Sequence, residues 1–137
     1  MRVDGEVTGA IERGLCVLLS VGPQDSDQVA TRMATRIATL RIFPDAGGRM
    51  NLDLAAAGGQ VLLVSQFTLH ADTSRGHRPS FIGAASPEPA ERLYGVVAAG
   101  LRDQGLLVAT GRFGAHMDVE LVNDGPVTII LESRKLK

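Results

Sequence analysis

The run Leu121-Val122-Asn123-Asp124-Gly125-Pro126-Val127-Thr128-Ile129-Ile130-Leu131 sets a Gly-Pro step between two apolar stretches of β character, where a plain hairpin prefers Asn-Gly. Proline fixes its φ and has no N–H, while glycine removes the side chain and lets another surface approach the main chain closely. A bare carbonyl beside a rigid ring makes a steric gauge. The same pair also occurs in ordinary loops, and the residues alone leave both readings open.

A second constraint lies in Val61-Leu62-Leu63-Val64-Ser65-Gln66-Phe67-Thr68-Leu69, an apolar run of strand length whose second half interleaves polar residues. Period two predicts a strand with Ser65, Phe67 and Leu69 on one face and Gln66 and Thr68 on the other. Two side chains able to hydrogen-bond then line up at the point where the strand leaves the core. A half-buried strand with one solvated face carries the same alternation.

Around these stretches the pattern predicts a short hairpin from Val3 to Ile11, a buried strand from Leu15 to Val21, and a helix opening near Asp25 or Ser26. That helix would present Val29, Met33, Ile37 and Leu40 to the core. Strands at Leu40 to Phe43 and Met50 to Leu54 are expected to join through the turn Asp45-Ala46-Gly47-Gly48. Pro87-Glu88-Pro89 opens a second helix with the apolar stripe Ala90, Leu93, Tyr94, Val97 and Leu101. Strands near Leu107 to Thr110, Met117 to Val122 and Val127 to Leu131 close the chain. Many short strands with two amphipathic helices imply an α+β domain: a curved mixed β-sheet or partial barrel with the helices packed against it. The 137 residues, 45% of them hydrophobic, suit one domain, 1–137, with one core.

Several function classes drop out. There is no secretory leader and no apolar run long enough to cross a bilayer, so a cytoplasmic protein without membrane contact is expected. A net charge of −1 argues against the broad basic face of a nonspecific nucleic-acid binder, and no DNA partner is expected. The lone Cys16 reads as a small buried hydrophobe with no partner for a disulfide or zinc site. His70, His77 and His116 are not at metal-ligand spacing, so neither metal nor cofactor is implied. There is no G-x-S-x-G elbow and no Walker loop, and neither Ser65 nor Thr68 has a base beside it in sequence.

Taken together, Ser65-Gln66-Phe67-Thr68-Leu69, Arg78-Pro79-Ser80-Phe81, Thr110-Gly111-Arg112-Phe113-Gly114 and Asn123 to Thr128 resemble the D-aminoacyl-tRNA deacylase family. Members carry SQFTL, RPSF, TGRFG and NxGPVT segments in that order. Leu40-Arg41-Ile42-Phe43, Gly48 to Leu52 and Met117 to Val122 extend the resemblance over nearly the whole chain. The family usually has a further strand upstream of its V-x-G-E-V segment, which here, as Val3-Asp4-Gly5-Glu6-Val7, follows Met1 almost directly. The domain is therefore expected to lack that strand and the arginine it supplies to steady the Gly-Pro loop, unless the true start lies upstream.

The resemblance implies hydrolysis of the ester of D-aminoacyl-tRNA, rejection of the L-form, and clearance of glycyl-tRNA, because glycine has no side chain to clash. Such an ester is already activated, so oriented water and fixed oxyanion donors suffice. The expected catalytic segment is Ser65, Gln66, Phe67 and Thr68, with main-chain N–H groups around Phe67 and Thr68 as donors and the ribose 2′-hydroxyl helping to activate water. The family has also been credited with a threonine nucleophile, here Thr68. Gly125 and Pro126 are expected to be cis and to enter the pocket of the other subunit of a homodimer as a chiral filter, with Phe113 and Met117 shaping it. The tRNA 3′ end would meet Arg75, His77 and Arg78, in the segment that opens with His70. The competing reading is a non-catalytic homodimer that holds an RNA end or a small ligand in the same place.

Overall fold

Val61, Leu62, Leu63 and Val64 are all buried, as expected of a strand covered on both faces. In the computed structural model, which describes residues 1–136, they belong to β6 (Gln60–Ser65). In chain order the elements are β1 (Arg2–Val3), β2 (Glu6–Val7), β3 (Gly14–Leu19), α1 (Asp27–Thr39), β4 (Phe43–Pro44), β5 (Met50–Leu52), α2 (Leu54–Ala57), β6, α3 (Pro87–Asp103) and β7 (Val108–Thr110). Short 3-10 turns span Phe67–His70 and Ser133–Lys135. The main sheet has the order β3-β6-β7 and is wholly parallel, Gly14 to Leu19 pairing with Gln60 to Ser65, and Val61 to Leu63 with Val108 to Thr110.

The alternation along β6 divides the interior. Val61 and Leu63 point to the main cluster, formed with α1, α3 and α2's Leu54; Leu62 and Val64 point the other way, to Met1, Cys16, Met117 and Val119. Ser26 caps α1 by accepting from Val29 N, and Pro87 opens α3, as the sequence implies. The α3 stripe is close to the expected one: Leu93, Val97, Ala98 and Leu101 are buried, with Ala90 and Tyr94 packed beside them. The α1 face differs in part: Ile37 is buried and Met33 packs against the main cluster as expected, but the other fully buried positions are Ala30, Ala34 and Ala38 rather than Val29 and Leu40. The reason is proximity, since a Cβ on Gly100 of α3 would stand 2.8 Å from the Ala34 Cβ. Helices this close exclude larger side chains.

The α+β class and the two packed amphipathic helices stand as read. The sheet is not one curved barrel: the described strands form the parallel trio and two separate antiparallel pairs, β1-β2 and β4-β5. The N-terminal hairpin is tighter than expected, turning at Asp4-Gly5 with both φ positive. Strand β4 starts at Phe43 rather than Leu40, and Asp53 caps the short α2 where a strand to Leu54 was expected. The Asp45 turn is as predicted, its carboxylate accepting from Gly47 N and Arg49 N.

Three expectations for strands fail for one reason, the lack of a neighbour. Past Ser65 the chain leaves the sheet, because β3 ends at Leu19, the partner of Ser65, and nothing continues the ladder. Met117 to Val122 and Val127 to Leu131 are likewise not strands here. Among the described residues their only bridge joins Asp118 to Arg2, and every residue from 121 to 130 is exposed. Val122 at 91% and Ile130 at 83% stand almost wholly in solvent.

Candidate functional site

Parallel strands bring their C-terminal ends to one edge of a sheet, which is where open α/β sheets commonly hold ligands. Here that edge gathers Ser20 after β3, Gln66 after β6 and Gly111 after β7. Gln66 N donates to Leu19 O at 2.7 Å, and then the chain winds into the 3-10 turn Phe67–His70. Leu69 N closes the turn on Gln66 O at 3.2 Å and Ala71 N on Thr68 O at 3.1 Å. The N–H groups of Phe67 and Thr68, at the start of the turn, have no acceptor among the described residues. Gln66 and Thr68 do meet, though not as strand neighbours: Gln66 Nε2 donates to Thr68 Oγ1.

Phe67 is 54% exposed and makes an edge-to-face contact with Phe81, the ring centroids 5.1 Å apart. That contact draws the RPSF segment to the turn. Between them, residues 73–79 form a loop closed at its base by paired main-chain bonds between Asp72 and Ser80, of 2.7 and 2.9 Å. The Ser74 hydroxyl and amide both bond the Asp72 carboxylate and hold its pKa below the ordinary value. Arg75, His77 and Arg78 are exposed on this loop.

The remaining expected residues lie apart within one chain. Phe113 packs against Tyr94 of α3 at 6.1 Å, and burial pushes the Tyr94 hydroxyl, which donates to Leu63 O at 2.6 Å, up in pKa. Met117 lies behind β6, so close to Gly111 that a Cβ there would be 2.6 Å from its Sδ. The Gly125-Pro126 peptide is cis, in an exposed loop braced by Asn123, whose Oδ1 accepts from Val127 N at 3.1 Å and whose Nδ2 donates to Thr128 Oγ1 at 3.2 Å. No hydrogen bond joins this loop to Ser65 to Thr68 within the described residues. A groove of about 350 Å³ along α1, beside Arg32, Arg36 and Leu136, contains none of these residues. Among the described residues no cluster of three or more His, Cys, Asp or Glu side chains could hold a metal, and no helix is long and apolar enough to cross a membrane.

Sequence reasoning missed Ser20, whose hydroxyl touches both ends of the 3-10 turn. The signal for it was its place as the first polar residue after the apolar strand Leu15 to Leu19.

Comparison with known proteins adds to this geometry. Residues 1–132 match the family model described as D-Tyr-tRNA(Tyr) deacylase. A D-aminoacyl-tRNA deacylase of Anaeromyxobacter dehalogenans is 58% identical over 136 residues, covering 99% of this chain and 91% of that protein. Its counterpart in Deinococcus radiodurans is 58% identical over 130 residues, 95% and 90% of the two chains. Among solved structures, one titled c-Myc DNA Unwinding Element Binding Protein superposes with a TM-score of 0.89 at 39% identity, covering 96% of this chain and 89% of that one. A probable eukaryotic D-amino acid tRNA deacylase shares the fold at TM-score 0.59 and 12% identity, over 74% of each chain. Motifs in order, the fold, and identity over nearly the full length lead to one conclusion: the chain belongs to the D-Tyr-tRNA(Tyr) deacylase family and is a hydrolase of that family.

Proposed function

We propose that the enzyme cleaves the ester of D-aminoacyl-tRNA at the Phe67–His70 turn, using main-chain N–H groups of Phe67 and Thr68 to stabilise the oxyanion while water attacks. The observation that carries this reading is the pair of adjacent amides without acceptors at an exposed turn on the C-terminal edge of the sheet. Fixed donors of this kind are each worth about 10²–10³ in rate. Thr68 supports the turn through its contact with Gln66 and is not the nucleophile, since its Oγ1 has no base beside it and accepts from Gln66 Nε2. Arg75, His77 and Arg78 meet terminal phosphates of the tRNA from the loop beside the turn.

Selection by hand is assigned to Gly125-Pro126. Exchanging the hand at Cα swaps hydrogen and side chain, so a rigid main-chain wall near Cα admits one enantiomer and clashes with the other. The wall comes from the second subunit of a homodimer, with Phe113 and Met117 bracing the pocket. Support for that assembly comes from the exposed apolar run on either side of the loop, including Leu121, Val122, Ile129 and Ile130. The enzyme acts in the cytoplasm, where its substrate is made.

The test is ester loss from D-tyrosyl-tRNA, L-tyrosyl-tRNA and glycyl-tRNA at substoichiometric protein. Rapid loss of the D and glycyl esters with the L ester intact is expected. Stoichiometric protection of the D ester would instead identify a binding protein, and abolition of turnover by Thr68→Ala in a folded, tRNA-binding protein would reinstate the nucleophile.

A further inference from the structure

Ser20, the first residue past β3, stands between two groups of the 3-10 turn. Its hydroxyl lies 3.3 Å from Phe67 O and in short contact with His70 Nδ1. A serine hydroxyl carries one proton. It serves both neighbours when it donates to Phe67 O and accepts from a protonated Nδ1. The Nε2 edge faces the loop before α1: a Cβ on Gly22 would lie 3.5 Å from Nε2 and 3.4 Å from Asp25 Oδ2.

The peptide plane makes this arrangement consequential. Phe67 C=O and Thr68 N–H belong to one planar unit, so holding the carbonyl aims the amide. The preceding unit is held in the same manner, Gln66 O by Leu69 N, and it carries the Phe67 N–H. Together with the bond from Gln66 N to Leu19 O, these contacts fasten the turn to residues 19 and 20 of the neighbouring strand.

We propose that Ser20 and His70 are positioning residues that aim the Thr68 amide at the reacting carbonyl by holding the Phe67 carbonyl. This rests on the main-chain oxyanion reading given above. Neither side chain touches substrate; His70 holds Ser20, and Ser20 holds the peptide.

Steady-state kinetics on D-tyrosyl-tRNA test the proposal in Ser20→Ala, His70→Ala, the double variant, His70→Asn and His70→Gln. Misaiming a donor by a fraction of an ångström is expected to lower kcat about tenfold in either alanine variant, with KM within about twofold of wild type. The double variant should fall no further than the worse single one, because both act on one hydroxyl. Asparagine places an N–H near the Nδ1 position and should recover most of the loss, whereas glutamine should not. An unchanged kcat, additive losses, or equal behaviour of asparagine and glutamine would overturn the proposal. An inactive wild type would count against the oxyanion reading alone. The NMR signal of the Thr68 amide then decides the positioning role: a changed amide shift with a lower backbone order parameter in Ser20→Ala upholds it, and an unchanged signal overturns it.

Discussion

Replacing Gly125 with alanine sets two magnitudes against each other. Gly125 has φ +135°, and an added Cβ would stand 2.8 Å from Val127 Cγ2 and 3.0 Å from Val127 N. A residue with a side chain held in such a backbone region costs on the order of 1–3 kcal/mol. Opposing relaxation are the two exposed hydrogen bonds of Asn123, together worth about 1 kcal/mol. The strain is the larger, so the loop shifts rather than absorbs the methyl group. Residues 121–130 belong to neither hydrophobic cluster. Subunit melting should therefore drop by no more than about 4 °C, the cost of the lost brace. A wall displaced at 1–3 kcal/mol corresponds to a loss of about 5- to 150-fold in the D-over-L ratio of kcat/KM, the L ester becoming a substrate. Parallel assays of tyrosyl-tRNA esters of both hands, with a thermal melt, read both quantities. An unchanged D-over-L ratio in the folded variant would refute the assignment of chirality to this loop.

Two further outcomes follow from the interior. Leu63 is fully buried at the centre of β6, so Leu63→Ala should cost about 2–5 kcal/mol, read as a lower urea midpoint, and a loss under about 1 kcal/mol would contradict the two-sided burial of that strand. Burial raises the Cys16 thiol above its ordinary value of 9.0, the nearby N-terminal ammonium working weakly against it, so the neutral thiol is the form the fold favours. The corresponding stability is complete below 9.0 and is lost as the pH rises through the higher folded value. Native alkylation at pH near 8 should accordingly be slower than alkylation of the unfolded chain, and equal rates would overturn this.

Long periodic segments were the most legible. The Pro87 start and the stripe Leu93, Val97 and Leu101 specify α3 because seventeen residues repeat one pattern. The α1 core face was harder to read, since alanines carry little hydrophobic signal and their burial follows from how near α3 comes at Gly100. Gln66 to Leu69 misled because four residues fit two periods: Gln and Thr alternate as in a strand, yet Phe67 and His70 also stand one 3-10 turn apart. The end of the neighbouring strand decides between them, and that is a fact of tertiary structure. Around Gly125-Pro126 the sequence marks the loop and its apolar flanks, but not that these flanks stand exposed rather than in strands.

The parallel sheet also sets a timetable. Gly14 pairs with Gln60, and Val61 with Val108, each closing a loop of about 45 residues before any pairing energy returns. During synthesis the middle strand emerges with its β3 partner already made, but β7 follows only after α3 is complete. Until then one edge of β6, with Val61 to Val64, is uncovered. Chain release and chaperone access in that interval, rather than the rate of helix formation, should govern the yield of folded protein.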